Sequence, residues 1–261
     1  MSSETTFGPM ETEFRAKRAA GRKLLVPYVT GGLTGWQDAI REAAKNGADA
    51  IEIGLPFSDP VMDGPVIQEA SQRALDAGIN MNIIFEQARE LDVDIPLAVM
   101  CYYNTIHHTG HRRFAHLLQT AGIVAAIVPD LPLEESGPWC ESADFVGIET
   151  VMLAAPTAPD SRLPRIAARA RGFVYSVGLL GVTGERQSLA ASATQLAGRL
   201  KAITDVPILV GVGVSNAAQA REAVGIADGV IQGASVVRRL MDDGPSAVGD
   251  YIAEVRAAIT L

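Results

Sequence analysis

Cysteine, positive charge and long apolar runs are all scarce in this sequence. Only two cysteines occur, Cys101 and Cys140, which is typical of a reducing compartment and a chain without disulfides. No run of about 20 apolar residues and no signal peptide is recognisable, so we expect a soluble cytoplasmic protein that does not enter a membrane. The net charge of −8 argues against a general nucleic-acid binder, because such a surface needs clustered Lys and Arg.

The composition indicates a globular chain with a large core. Of the 261 residues, 48% are hydrophobic and 20% are charged, with no low-complexity run and nothing that resembles a linker. Length alone allows one large α/β barrel or two small domains. We expect a single domain over residues 1–261, with the small and polar residues 1–8 disordered.

Short apolar runs alternate with segments of helical periodicity along the whole chain. The predicted strands lie at residues 24–30, around Glu52, and at 96–102, 124–128, 149–153, 173–177, 207–211 and 228–231. The predicted helices lie at about residues 10–21, 35–46, 67–77, 83–91, 112–121, 134–144, 159–170 and 189–203. Such βα units with continuously apolar strands predict an α/β fold, a closed (β/α)8 TIM barrel with a short N-terminal helix. An open doubly wound sheet is the alternative, but no G-x-G-x-x-G follows the first strand.

One acid interrupts an apolar strand, and a stiff acidic loop follows it. Glu52 lies among apolar residues, and after Gly54 the chain enters a proline-rich loop that carries Asp59 and Asp63. The sequence predicts that Glu52 is the only acid inside an apolar strand. Burying a carboxylate is costly unless it is paired or does chemistry, so Glu52 is either catalytic or a structural ion-pair partner.

Two glycine turns follow the seventh and eighth predicted strands, Gly211-Val212-Gly213 and Gly233-Ala234-Ser235. In barrels these loops commonly bind phosphate through free backbone N–H groups and the helix dipole. The alternative is that the glycines only close tight turns. Their position on adjacent loops favours a phosphate site.

Lysine chemistry and metal chemistry are both disfavoured. The chain has only four lysines, Lys17, Lys23, Lys45 and Lys201. They lie in predicted helices or before strands, on the wrong side of a barrel for a Schiff base. The clustered histidines of His107-His108-x-x-His111 lack an acid at convincing spacing and are more typical of a solvated loop, so no metal site is predicted. Acid–base chemistry by carboxylates on a phosphorylated substrate remains.

The run from Glu52 to Pro65 closely resembles the E-x-G-x-P-[FY]-S-D-P-x-x-D-G-P signature of the tryptophan synthase α subunit family. The similarity extends over nearly the whole chain, through Met100-Cys101-Tyr102-Tyr103-Asn104, Asp130-Leu131-Pro132-Leu133-Glu134-Glu135, Ala155-Pro156-Thr157, Gly172-Phe173-Val174-Tyr175, Gly181-Val182-Thr183-Gly184 and Gly211-Val212-Gly213-Val214-Ser215. The resemblance implies a lyase that splits indole-3-glycerol phosphate into indole and glyceraldehyde 3-phosphate by a retro-aldol reaction.

The resemblance also implies roles for individual residues. Glu52 is expected to move the protons and Asp63 to hold the indole N–H, with Glu52 protonatable through burial and Asp63 ionised in its polar loop. Thr183 and Gly184 are expected in a lid, and Thr183 would bond to Asp63 on closure. The expected indole pocket, whose members are otherwise ordinary barrel-core residues, comprises Tyr28, Met100, Tyr102, Ile127, Leu153 and Tyr175. The expected phosphate contacts are Gly184, Gly213, Gly233, Ala234 and Ser235.

A β-subunit partner, in an α2β2 heterotetramer, is a further implication of the resemblance. Pro56 and Asp59 would face that partner, or would only shape the loop for Asp63. No cofactor is expected in this chain, and pyridoxal phosphate would belong to the β subunit that consumes the indole. The alternatives are a stand-alone lyase that releases indole and a weakly active regulatory partner of a β subunit. Retention of Glu52 and Asp63 argues against the regulatory role.

Three segments depart from the family pattern. Gly31-Gly32-Leu33-Thr34 replaces the usual G-D-P after the first strand. Gly233-Ala234-Ser235 replaces G-S-A, which removes or displaces by one residue a hydroxyl expected on the phosphate. Glu185 adds a negative charge beside the lid. We expect these changes to affect affinity and rate while leaving the two carboxylates intact.

Overall fold

The computed structural model describes residues 7–177, 186–211 and 214–260, with the backbone alone for residues 186–191. In these residues, parallel strands pair in chain order from β1 to β8, and β8 pairs with β1 to close a barrel. The predicted (β/α)8 barrel is therefore confirmed, and the open doubly wound sheet is excluded.

The elements alternate as the sequence pattern predicts. The strands are β1 (Leu24–Thr30), β2 (Ile51–Gly54), β3 (Leu97–Met100), β4 (Ala125–Ile127), β5 (Glu149–Ala154), β6 (Val174–Ser176), β7 (Ile208–Val210) and β8 (Gly229–Gln232). The helices are α1 (Pro9–Ala19), α2 (Trp36–Lys45), α3 (Pro65–Asp76), α4 (Met81–Ala88), α5 (Tyr103–Thr109), α6 (His111–Thr120), α7 (Gly137–Val146), α8 (Leu163–Arg169), α9 (Arg186–Lys201), α10 (Ala217–Val224), α11 (Ala234–Asp243) and α12 (Pro245–Ile259).

Two helical predictions differ from the structure. The histidine-rich segment predicted as a loop forms α5, whose first amide, Tyr103 N, donates to Asp130 Oδ1 at 2.8 Å. That cap comes from the loop after β4, so the local sequence does not reveal it. The helix predicted at residues 134–144 is instead a short 3₁₀ helix, Leu133–Glu135, followed by α7, which has Pro138 at its start.

Every second residue of each strand faces the barrel interior. The interior cluster comprises Met10, Phe14, Leu24, Val26, Ala50, Ala98, Ala125, Ile127, Val151, Phe173, Leu209 and Ile231. Met10 and Phe14 belong to α1, so this helix closes the N-terminal end of the barrel. The loops after the strands lie at the other end, where barrel enzymes carry their sites.

Glu149 fixes α1 against the barrel. Its carboxylate accepts hydrogen bonds from Met10 N at 2.8 Å and Glu11 N at 2.9 Å. Burial raises the pKa of Glu149 to about 7, while those two backbone hydrogen bonds act in the opposite direction. Glu149 is the first residue of β5 and is buried, so the prediction that Glu52 is the only acid inside a strand is wrong.

The described part of the N-terminal segment begins at Phe7. The guanidinium of Arg15 lies 4.1 Å from the centre of the Phe7 ring, and Gly8 O accepts a hydrogen bond from Thr12 N at 3.0 Å. Gly8 directly precedes α1, and the disorder predicted for residues 1–8 stays a prediction. Residues 1–6 lie outside the described range.

Candidate active site

Glu52 lies on β2 with 1% of its surface exposed. It pairs in register with Tyr28 of β1 and Ala98 of β3, and it shares the interior face of β2 with Ala50. Burial raises the pKa of Glu52 to about 8, and the nearby charge of Asp63 acts in the same direction. Its Oε2 atom has no hydrogen-bond partner among the described residues. Burial thus favours the protonated form of Glu52.

Asp63 lies in the loop between β2 and α3 and is partly buried. The pKa of Asp63 lies above its ordinary value because the carboxyl is partly buried. A hydrogen bond from the Tyr102 hydroxyl opposes this shift without cancelling it. Burial thus shifts the pKa of both carboxyls upward, and Tyr102 favours the ionised form of Asp63. The expected division into a protonated Glu52 and an ionised Asp63 stays a prediction, which the Tyr102 hydrogen bond favours at Asp63.

Two tyrosine hydroxyls reach the same chamber from opposite walls. Tyr28 lies beside Glu52 on β1, and Tyr175 lies on β6, across the closed barrel. Burial and the Glu52 and Asp63 charges raise the pKa of both tyrosines above the ordinary range. Because a charge on β2 acts on a phenol on β6, the side chains share the barrel interior.

The expected indole pocket is brought together at this end of the barrel. Ile127 belongs to the interior cluster, and Met100, Leu153 and Tyr175 pack against it while keeping part of their surface exposed. The Tyr102 hydroxyl accepts a hydrogen bond from Met62 N at 2.9 Å. These side chains form an apolar wall beside the two carboxyls, and their contact with indole remains a prediction.

Phe57 contacts one of the expected pocket residues, and sequence reasoning did not name it. Its ring stacks on Tyr102, with 5.0 Å between the ring centres. The signal was available, because Phe57 occupies the [FY] position of the signature in the acidic loop. The stack connects this loop to the end of β3.

The turn between β8 and α11 has the geometry of an anion site. The amides of Gly233, Ala234 and Ser235 donate to no residue that the structure describes, and the first bonds of α11 come from Val236 N and Val237 N to Gly233 O. A Cβ placed on Gly233 would meet no atom of the described residues within 4 Å. Within that part of the chain, the turn therefore presents unpaired N–H groups and a helix N-terminus to open space.

The Ser235 hydroxyl does not face that space. Ser235 Oγ donates to Gln232 Oε1 at 3.0 Å and lies 3.1 Å from Tyr251 Oη. The predicted phosphate contacts in this turn are therefore the backbone amides of Gly233, Ala234 and Ser235. Gly213, Gly184 and Thr183 lie outside the described residues.

The histidine cluster lies on α5 and α6, and the predicted partner contacts lie in the loop after β2, at the same end of the barrel. Tyr103 Oη and His111 Nε2 are 2.9 Å apart, and the described residues contain no group of three His, Cys, Asp or Glu that could hold a metal. In the loop after β2, Pro56 is partly buried and Asp59 is exposed, with Ser58 Oγ donating to Asp59 Oδ2 at 2.6 Å.

The fold and the site together define the class of protein, a (β/α)8-barrel enzyme with a buried carboxylic acid on β2. Residues 14–257 match the family described as tryptophan synthase alpha chain. The chain belongs to this family. Within the described part of the chain, no helix combines the length and the apolarity needed to cross a membrane.

Individual relatives cover nearly the whole chain. The tryptophan synthase alpha chain of Streptomyces coelicolor is 45% identical over 239 residues, which are 90% of this chain and 88% of that protein. The tryptophan synthase alpha chain of Thermobifida fusca is 42% identical over 254 residues, covering 93% of this chain and 94% of that protein. A structure of Mycobacterium tuberculosis tryptophan synthase has a TM-score of 0.90 at 32% identity, covering 98% of this chain and all of that one (100%).

Proposed function

We propose that this chain is a carbon–carbon lyase that cleaves indole-3-glycerol phosphate into indole and glyceraldehyde 3-phosphate, as the α subunit of tryptophan synthase. The observation that carries the proposal is Glu52, a buried acid with a pKa of about 8 and an oxygen without a partner in the described residues, beside Asp63 in an apolar chamber. Family membership supports the same function.

Glu52 carries out both proton transfers of the reaction. In its protonated form it donates a proton to C3 of the indole ring, which places positive charge on the ring nitrogen. As a carboxylate it then accepts the proton of the side-chain hydroxyl next to C3. The bond between C3 and the side chain breaks, its electrons restore the aromatic ring, and the hydroxyl carbon becomes the aldehyde. One carboxyl therefore returns to its starting state in each turnover.

Asp63 stabilises the charge that develops between these two transfers. An ionised carboxylate at the indole N–H becomes a stronger partner when the ring turns cationic, so it lowers the barrier rather than only the ground state. The Tyr102 hydroxyl supports the ionised form of Asp63. The apolar wall of Ile127, Met100 and Leu153 excludes water and strengthens this charge interaction.

The phosphate binds at the start of α11. The free amides of Gly233, Ala234 and Ser235 and the dipole of the helix favour a dianion there. In this proposal Gly213 and Gly184 complete the phosphate site, and Thr183 and Gly184 belong to a lid.

A β subunit is the proposed partner, in an α2β2 heterotetramer. The loop with Pro56 and Asp59 also exposes two apolar side chains, Val61 at 79% and Met62 at 40%. Adjacent apolar side chains on an exposed loop are typical of a contact surface. This chain itself takes no cofactor, pyridoxal phosphate belongs to the β subunit, and the complex is cytoplasmic.

The test is direct assay of the purified chain with indole-3-glycerol phosphate, alone and with the β subunit from the same source. We expect indole and glyceraldehyde 3-phosphate in equal amounts. Failure to form either product under both conditions would contradict the proposed reaction.

A further inference from the structure

Three side-chain oxygens meet behind the first turn of α11. They belong to Gln232 at the end of β8, Ser235 in the first turn of α11, and Tyr251 in α12. Tyr251 Oη donates to Gln232 Oε1 at 2.6 Å, Ser235 Oγ donates to the same atom at 3.0 Å, and Oη and Oγ are 3.1 Å apart. We call these three residues the oxygen triad.

The triad fixes the side chain of Gln232 through its carbonyl alone. Gln232 is fully buried (0% exposed), and its Nε2 atom has no hydrogen-bond partner in the part of the chain that the structure describes. The hydroxyls of Tyr251 and Ser235 each carry one proton, whereas the carbonyl oxygen of Gln232 carries none and can only accept. Loss of either hydroxyl therefore leaves a buried acceptor short of a donor, which is the costly case.

Tyr251 also holds the main chain of the turn. Its ring packs against the guanidinium of Arg239, 3.8 Å from the ring centre, and Arg239 Nη1 donates to Ser235 O at 2.9 Å. Tyr251 therefore acts on Ser235 in two ways, at the hydroxyl directly and at the carbonyl through Arg239. Ser235 lies between these contacts on one side and the free amides of the turn on the other.

We propose that Tyr251 and Gln232 are positioning residues for the phosphate group, which keep the amides of Gly233, Ala234 and Ser235 directed at a common point. The proposal rests on the proposed function, because it requires a phosphorylated substrate at this turn. Neither residue touches the substrate. The Ser235 hydroxyl stabilises the turn through its hydrogen bond to Gln232. The serine that lies one residue after the position expected from the family therefore has a structural role and does not contact the phosphate through its hydroxyl.

The test compares Tyr251→Phe with the wild type. This change removes one hydroxyl and keeps the ring that packs on Arg239. We expect the Kd for glycerol 3-phosphate to rise about 3- to 10-fold, the worth of roughly one hydrogen bond, while the Kd for indole is unchanged. The KM for indole-3-glycerol phosphate should rise by a similar factor, with kcat unchanged within about twofold.

Tyr103→Phe is the matched control, since it removes a hydroxyl in α5 that lies 2.9 Å from His111 and takes no part in the triad. It should leave both dissociation constants unchanged. Ser235→Ala gives a second measure of the triad, and the Tyr251→Phe/Ser235→Ala double variant should lose more than either single variant, because the Gln232 carbonyl then has neither hydroxyl donor.

Two results would overturn the positioning role while the proposed function stands. One is a wild-type Kd for glycerol 3-phosphate in both Tyr251→Phe and Ser235→Ala. The other is an equal loss of indole and glycerol 3-phosphate binding, together with a fall in kcat, which indicates only a structural role. A wild-type chain that binds no glycerol 3-phosphate and forms no indole would overturn the proposed function, and the positioning role with it.

Discussion

The Tyr28 hydroxyl fills the space beside Gly54, so that a Cβ on this glycine would lie 1.8 Å from Tyr28 Oη. Gly54 ends β2, two residues after Glu52, and β1 pairs with β2 at both positions. The missing side chain at Gly54 therefore lets a phenol stand next to the acid. The same arrangement recurs across the barrel, where a Cβ on Gly211 would lie 2.2 Å from Tyr175 Oη.

Gly54→Ala should displace Tyr28 and damage the site. We expect a loss of about 1–3 kcal/mol in the free energy of unfolding, typical of overpacking, together with weaker indole binding. Urea unfolding and indole titration measure the two effects. Gly137→Ala is the control, because a Cβ there would meet no atom within 4 Å. Wild-type stability and indole affinity in Gly54→Ala would show that the close approach of Tyr28 is not required.

Glu52 should make the fold less stable as the pH rises. Its pKa is about 8 in the folded chain against 4.5 for an ordinary glutamate, so the folded state binds this proton more tightly than the unfolded state. Stability is therefore lost between about pH 4.5 and pH 8. The amide side chain of the Glu52→Gln variant cannot ionise, so the variant does not undergo this loss. The free energy of unfolding of the variant minus that of the wild type should therefore be about 3 kcal/mol larger at pH 8 than at pH 5.

Urea unfolding at the two pH values tests this, with Glu141→Gln on the exposed face of α7 as the control. The control should differ from the wild type by the same amount at both pH values. If the free energy of unfolding of Glu52→Gln also differs from that of the wild type by the same amount at pH 5 and pH 8, the raised pKa of Glu52 is contradicted.

Ala234→Ser should tighten phosphate binding. Ala234 is the first residue of α11, next to the open space at Gly233, and the native Ser235 hydroxyl is engaged with Gln232. A hydroxyl at position 234 adds one hydrogen-bond donor, worth about 1 kcal/mol, or roughly fivefold in Kd for glycerol 3-phosphate. Calorimetry should show the gain with no change for indole. An unchanged Kd for glycerol 3-phosphate would place the phosphate away from this turn.

The fold was predictable because the strands of a parallel barrel are buried on both faces and read as apolar runs. Ile51 and Ile53 pack outward in the main core while Ala50 packs inward, so both faces of β2 are apolar around Glu52. An acid in such a strand is conspicuous. Glu149 opens the predicted strand at 149–153, but its partners, the amides of Met10 and Glu11, come from a distant segment that the local sequence does not reveal.

Contacts between distant segments account for what the sequence could not reveal. The cap of α5 comes from Asp130, 27 residues after Tyr103, and the triad joins Gln232 to Tyr251, 19 residues away. Neither spacing corresponds to a helical or strand period. The inward turn of the Ser235 hydroxyl follows from this triad and not from the glycine turn itself.

The β subunit should accelerate the lyase reaction. If partner binding orders the loops over the site, the chain alone should be slow and mixing should raise the rate of indole release, because a conformational penalty is removed before chemistry. Asp59→Ala should reduce this gain, since Asp59 is exposed in the proposed contact loop. The control is Asp92→Ala, an exposed aspartate that precedes β3 at the other end of the barrel. Full activity alone, no gain on mixing and no co-elution would favour a stand-alone lyase.

The turnover of Glu52→Gln tests the central claim most directly. Glutamine keeps the size of the buried side chain but cannot carry the proton, so kcat for indole release should fall about 10²- to 10⁴-fold, the usual worth of general acid–base catalysis. The Kd values for indole and glycerol 3-phosphate should stay near those of the wild type, which shows an intact site. A variant that binds both ligands and keeps more than about a tenth of wild-type kcat would contradict the assignment of Glu52 as the acid–base group.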